Sequence, residues 1–300
     1  MPSSSIVAST RREISRSAIF ANISASGVGG SAPKYRSSEA RPRKYSAIAF
    51  IVLKESSNPS SVHEKVPYET VRILLPIVSS PRLITLIGGA DLAPSILTVA
   101  LKWGETVVCA DGGADSALWA EVDPVAVIGD MDSISDAAKD AFGDVLHPIA
   151  EQDSTDFDKA LRHIDAPLVL GVGFSGARLD HELGSMTVLV RHPDRRCILI
   201  GEDTIVLLCP PEIALDIPKG TPVSLYPMAD VGCDSDGLHW DTAGLRFAPD
   251  ARVGTLNKAT GPVTLRPDAP KMLLILPRAM LGITIEALAA SDATWPARVG

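Results

Sequence analysis

Three hundred residues, 46% of them hydrophobic, are enough for about two domains, and with only 5% aromatics the core must come from Val, Leu, Ile and Ala. The formal charge of −8 conceals an asymmetry: residues 1–50 hold eight Lys or Arg against two Glu, which leaves −14 on the rest. So acidic a body argues against general nucleic-acid binding, and no apolar run approaches the ~18–20 residues of a membrane-spanning helix.

Residues 1–80 are Ser- and Arg-rich and acid-poor, with no sustained period before Val71, although Ser46–Leu53 could form a strand. Such composition is what a transit peptide shows, but Val62–Thr70 has no targeting character, and a disordered tail or sequence upstream of the true start is the preferred reading. The chain is therefore placed in the cytoplasm, with organellar import through the extension as the minor alternative. From Leu83 onward strands and helices alternate. Leu83–Ile87, Thr106–Ala110, Val125–Ile128 and Leu168–Gly171 read as strands. Leu92–Trp103, Asp115–Glu121, Ser135–Phe142, Thr155–His163 and Leu179–Val190 read as helices, with Ser135 as an N-cap. That alternation predicts an α/β domain over 81–193, built on a Rossmann-like, mostly parallel sheet covered on both faces. Beyond Arg191–Arg196 the rhythm shortens. Cys197–Gly201, Ile205–Cys209, Val223–Pro227, Gly237–Trp240, Leu245–Phe247 and Met272–Leu276 are strand candidates punctuated by Pro and Gly. They predict a small all-β sandwich or partial barrel over 194–290. The four cysteines lack C-x-x-C spacing and read as buried free thiols.

Acidic side chains gather where strands end. Asp111 follows Thr106–Ala110, and Asp130 and Asp132 follow Val125–Ile128. Two residues apart in an extended segment, Asp130 and Asp132 point the same way, a costly pairing unless a cation such as Mg²⁺ sits between the hard oxygens. With Asp156 and Asp180, five carboxylates converge on one edge and would raise one another's pKa unless divalent ions bridge them to phosphate. Asp111 has a second reading, as a cap on the next helix. Gly171, Gly173 and Gly176 spell G-x-G-x-x-G, but late in the sheet and beside Arg178, Asp180 and His181. Backbone N–H groups cradling a nucleotide phosphate suit them better than a dinucleotide site. Gln152, Ser154, Thr155 and Lys159 offer donors within a turn of Asp156. Thr155 doubles as an N-cap, and Lys159 as a weak surface partner of Asp156. Asp153 and Asp158 read as solvated helix-start carboxylates, Arg178 as a phosphate clamp, and His181 as a base or a structural residue.

In order, Asp-Gly-Gly-Ala-Asp, Gly-Asp-Met-Asp-Ser, Gln-Asp-Ser-Thr-Asp-Phe-Asp-Lys-Ala and Gly-Ala-Arg-Leu-Asp-His resemble the thiamine pyrophosphokinase (thiamine diphosphokinase) family over roughly residues 82–280. The resemblance implies Mg²⁺-dependent transfer of pyrophosphate from the co-substrate ATP to thiamine, giving thiamine diphosphate and AMP. It assigns catalysis and the metal to Asp130, Asp132 and Asp156. Substrate binding falls to Asp111, Gln152, Thr155, Lys159, Gly173, Arg178 and Asp180, and to Asn257 and Trp240 for the vitamin. It also implies a homodimer whose vitamin site joins one subunit's catalytic domain to the other's β domain. The family usually has Ser-Asn where this chain has Leu256-Asn257, so one hydroxyl donor is lost; Trp240 reads more readily as core than as a ligand platform. Two other readings compete. A D-x-D metal-dependent phosphatase of the haloacid dehalogenase type leaves the Gln152–Lys159 run unexplained, and a non-catalytic thiamine or nucleotide sensor has only Leu256 in its favour.

Overall fold

Uncharged runs of Val, Ile, Leu and Ala become strands buried on both faces, because β-branched side chains pack well on a covered sheet. The structure, a computed structural model, describes residues 75–176 and 178–298, together with the backbone of the short antiparallel pair β1 (Ala49–Phe50) and β2 (Arg72–Ile73). The tail-or-leader expectation for residues 1–80 thus falls mostly outside the described residues.

The chain then runs through β3 (Val78–Ser79), β4 (Ile84–Ile87), α1 (Pro94–Leu101), β5 (Thr106–Ala110), α2 (Gly113–Trp119), β6 (Ala126–Gly129) and α3 (Asp136–Phe142). Next come β7 (Leu146–Pro148), α4 (Asp156–Arg162), β8 (Ile164–Asp165), β9 (Val169–Val172) and α5 (Leu179–Arg191). The remainder is β10 (Cys197–Ile200), β11 (Thr204–Leu208), β12 (Ile213–Leu215), β13 (Pro222–Pro227), β14 (Val231–Leu238), β15 (Arg246–Phe247), β16 (Gly254–Pro267), β17 (Met272–Pro277) and α6 (Leu281–Ala289). β3 pairs with β8 in a small parallel sheet of their own. Among the described residues no helix is long and apolar enough to cross a membrane.

One large sheet organises the fold. Its path is β7-β6-β5-β4-β9-β10, all parallel, and then β11-β17-β13-β16-β14-β15, all antiparallel, with β12 also paired to β16. Five pairings are parallel and seven antiparallel: the strands over 81–193 pair in parallel as expected, but they continue into the later strands as one sheet, a mixed α/β fold whose sheet is mostly antiparallel. The β10–β11 hairpin makes the join, since β10 lies parallel to β9 and antiparallel to β11. The long β16 changes partners along its length. Gly254–Lys258 pairs with β13, and Ala259–Pro267 pairs with β12 and β14.

Strand alternation sorts the core onto the two faces. Ile87, Val107, Cys109, Val127, Leu170 and Val172 join α1, α2, α3 and α6 in one cluster. Ile84, Leu86, Val108, Ala110, Ile128 and Val169 join α4 and α5 in the other. All four cysteines are free and buried, and burial pushes the Cys109 thiol up to about 12.

The order of the parallel strands fixes where a ligand can sit. From β4 the chain moves outward through β5, β6 and β7, then returns to place β9 on β4's other side. Such a reversal opens a crevice at the strands' carboxyl ends. The loops there touch so closely that side chains would collide: a Cβ on Gly173 (φ +74°) would lie 2.6 Å from the Gly88 carbonyl oxygen. At α2 a Cβ on Gly113 would lie 2.1 Å from the Ile87 carbonyl oxygen. Gly113→Ala must therefore push α2 off β4, and we expect a loss of about 2–3 kcal/mol in urea unfolding. An unchanged midpoint would show that the helix can slide freely.

Candidate active site

At the end of β5 the chain turns into α2 with Asp111 at φ +37°, and at the end of β6 it turns with Met131 at φ +68°. Asp tolerates the left-handed region, whereas Met there stores strain of the kind that accumulates at functional turns. The two turns bring Asp111, Asp130 and Asp132 together, each offering an oxygen within 4.8 Å of the others. Asp111 is only 1% exposed. Its Oδ2 accepts from the Ser133 N–H at 2.9 Å, while its Oδ1 is buried without a hydrogen-bond partner. Burial, and then the charges of Asp156, Asp130 and Asp132, hold the Asp111 carboxyl above the usual carboxylate range, although the Ser133 bond works against them. The alternative of Asp111 as a helix cap does not hold, since the N-cap of α2 is Gly112, with no side-chain cap bond.

Asp156 opens α4 and joins the group through Lys159. The ammonium, on a side chain 1% exposed, lies 2.8 Å from Asp130 Oδ2 and 3.0 Å from Asp156 Oδ1. This replaces the surface ion pair expected from sequence. Burial would lower the Lys159 pKa, but its bonds to Asp130 and Asp156 outweigh burial and raise it; the same contact lowers Asp130. Gln152 Nε2 donates to Asp130 Oδ2 at 3.3 Å. Thr155 is the N-cap of α4, its Oγ1 accepting from the Asp158 N–H at 3.2 Å, and it also lines the crevice.

The crevice has a volume of about 620 Å³, which suits a nucleotide-sized ligand. Asp111, Ser133 and Asp156 stand on one side of its lining; Gly173, Phe174, Arg178, Asp180 and His181 come from the β9–α5 segment. Phe174 rests on Phe157 with ring centroids 4.4 Å apart. Arg178 and Asp180 are exposed and bonded to each other, Nε to Oδ1 at 3.1 Å, and the guanidinium holds the Asp180 carboxyl down at about 2.

Asn257 and Trp240 are not among the crevice's lining residues. They meet each other in the antiparallel half: Asn257 Oδ1 accepts from the Trp240 N–H at 3.1 Å, and Asn257 Nδ2 donates to the Trp240 carbonyl at 2.7 Å. Trp240 is 57% exposed, against the expectation of a core residue, and lies near Lys258 and against His239. Leu256 is 80% exposed at φ +67°, where β13 and β16 shift register.

Asp158 reverses its expectation altogether. Only 2% exposed, it receives Arg191 Nη1 at 2.6 Å and His192 Nε2 at 2.9 Å, tying α4 to the end of α5. Burial raises its pKa, but the His192 and Arg191 bonds prevail and hold it below the usual range. Only Arg162, at i+4 and 3.8 Å, is a local partner; Arg191 and His192 lie more than thirty residues away, beyond the reach of local spacing. Asp115, quoted in a motif but given no role, binds the backbone N–H and the hydroxyl of Ser135. Its signal was its place one turn after Asp111 at the start of the same helix.

Residues 97–200 match the family model described as thiamin pyrophosphokinase, catalytic domain. This segment, about a third of the chain, is thus similar to the thiamine pyrophosphokinase catalytic domain. It is 28% identical over 185 residues to thiamine pyrophosphokinase 1 of Arabidopsis thaliana, a match covering 50% of this chain and 69% of the relative. Among solved structures, the thiamin pyrophosphokinase of Candida albicans superposes with TM-score 0.55 at 16% identity, over 65% of this chain and 89% of its own. That of Geobacillus thermodenitrificans gives 0.54 at 22%, over 65% and 96%. These structures share the large mixed sheet. The matched segment contains every carboxylate of the cluster, together with Lys159 and the β9–α5 segment.

Proposed function

We propose that this chain is a thiamine diphosphokinase, transferring pyrophosphate from ATP to thiamine to give thiamine diphosphate and AMP. Similarity to that catalytic domain supports the reaction, and one observation supports its site: Asp111, which lines a nucleotide-sized crevice, gathers with Asp130 and Asp132 beside a buried lysine. The parallel half (residues 81–193) is read as the Rossmann-like catalytic domain, and residues 194–290 as a β-sandwich for the vitamin, with a homodimer joining the two. The Asn257–Trp240 pair, outside the crevice lining, is consistent with a vitamin site completed by a second subunit.

A divalent ion fits the donor set. The oxygens are hard, and the buried Asp111 Oδ1 lacks the partner that burial ordinarily demands. Asp111, Asp130 and Asp132 would hold Mg²⁺, with Asp156 next to them; when bound, the ion neutralises triphosphate charge. The chain's own groups do the rest. Arg178 orients phosphate oxygens, Lys159 and Gln152 hold the Asp130 carboxylate in place, backbone N–H groups at Gly173 approach the phosphates closely, and Phe174 with the surrounding loops excludes water. The thiamine hydroxyl oxygen bonds to the β-phosphorus while the bond to the bridging α-oxygen breaks and AMP leaves. Asp156, its Oδ1 fixed by Lys159, presents a carboxylate to the crevice and takes the hydroxyl proton. Positioning and charge complementarity carry such transfers without a protein nucleophile.

Incubation with ATP, Mg²⁺ and thiamine tests this reading. Equal amounts of AMP and thiamine diphosphate are expected. Inorganic phosphate alone would point to a phosphatase, and binding without turnover to a sensor; either would overturn the proposal.

A further inference from the structure

The turn carrying Asp130 and Asp132 has no regular structure of its own. It runs from the end of β6 to the start of α3, with Met131 at φ +68°. Lys159 and Gln152 hold its Asp130 side chain, and the neighbouring β5–α2 turn ties its backbone at two rungs. In the first, Asp111 Oδ2 accepts from the Ser133 N–H at 2.9 Å. In the second, Asp115 Oδ2 accepts from the Ser135 N–H at 3.0 Å while Asp115 Oδ1 takes the Ser135 hydroxyl. Ser135 Oγ in turn accepts from the Ala138 N–H at 3.2 Å, so the second rung also seats the first turn of α3. The turns are pressed together between the rungs, where a Cβ on Gly112 would stand 3.2 Å from the Ser133 carbonyl oxygen.

Asp111 belongs to the cluster itself, but Asp115 does not. We propose that Asp115 is a positioning residue: by gripping Ser135 it holds the 130–135 turn so that Asp130 and Asp132 face Asp111 at the spacing a divalent ion needs. This rests on the reading of the cluster as a metal site. Asp115 acts through hydrogen-bond acceptance, so an amide of the same length can replace it, with Oδ1 accepting from the Ser135 N–H and Nδ2 donating to the hydroxyl. A methyl group cannot. Outer residues that orient metal ligands typically change metal affinity ten- to a hundredfold.

The test uses the full chain as wild type, Asp115→Ala and Asp115→Asn. Mn²⁺ binding is followed by the electron paramagnetic resonance signal of the free ion, and turnover of ATP and thiamine is followed as Mn²⁺ is raised. The alanine variant should bind Mn²⁺ about tenfold or more weakly, and its half-saturating Mn²⁺ should rise equally, while kcat at saturating Mn²⁺ stays within about threefold. The asparagine variant should return close to wild type in both. A merely structural role would lower kcat with the active fraction and leave half-saturation in place, which would overturn the proposal. Equal Mn²⁺ binding by wild type and Asp115→Ala overturns it while sparing the metal site; a wild type that binds no Mn²⁺ removes both. Should Asp115→Ala fail to fold, Asp115→Gln, whose acceptor is displaced by one methylene, is read in its place against the same outcomes.

Discussion

Asp111→Asn is expected to stop turnover and, at the same time, to make the metal-free protein melt at a higher temperature. The wild-type carboxylate is 1% exposed, has one oxygen unpartnered, and faces the charges of Asp156, Asp130 and Asp132. Its folded pKa is raised above the unfolded value of 3.8, so the folded state holds the proton more tightly than the unfolded chain does. The stability this proton gives is complete below the ordinary carboxylate range. It is lost as pH rises through the raised value, leaving a net cost at neutrality. Asparagine carries no charge and keeps Oδ1 for the Ser133 N–H. Relief of about 1 kcal/mol would raise the melting temperature by about 2–4 °C in EDTA at pH 7. That gain should vanish below about pH 4, where the wild-type carboxyl is protonated. Turnover should fall about 10²–10³-fold with the lost metal ligand. Unchanged melting with retained activity would place the ion elsewhere.

Asp158→Ala is expected to show a large loss of stability. The carboxylate is buried between Arg191, His192 and, at 3.8 Å, Arg162. Removing it strands cationic groups against the α4–α5 junction. Breaking a fully buried pair costs about 3–5 kcal/mol, and because Arg191 is half-exposed a loss of about 2–4 kcal/mol is expected here. The sign with pH is opposite to that of Asp111. The folded Asp158 pKa is depressed, so its contribution is present above the unfolded value and is lost as pH falls through the lower folded value. The variant's stability should therefore respond less to acid than the wild type's. A loss under about 1 kcal/mol in urea unfolding would show the network to be as screened as a surface pair.

What could be read from the sequence follows the range of the forces involved. Apolar runs ending in Gly or Asp placed β4, β5, β6 and β9 to within a residue or two, and Ser135 and Thr155 cap their helices as their types suggest. β14 was recognised only at its end because Val231–Leu238 alternates apolar residues with Gly, Asp and Ser, a pattern that reads as a turn until β16 supplies its pairing. The continuous sheet was hidden for the same reason: strands β11 and β17 are adjacent in space yet more than sixty residues apart. Local spacing put Asp130 and Asp132 side by side. It could not show that Asp111, rather than Asp156, closes the three-carboxylate group, or that Lys159 is buried against two of the aspartates. Tryptophan in a strand-like segment usually faces inward, whereas Asn257 holds Trp240 by its backbone and leaves the ring outside.

The most direct measurement is anomalous diffraction from crystals grown with Mn²⁺ and a non-hydrolysable ATP analogue. A manganese peak among Asp111, Asp130 and Asp132, with the analogue's phosphates running toward Arg178, is the predicted result. A peak elsewhere, or phosphates bound away from these three carboxylates, would contradict it.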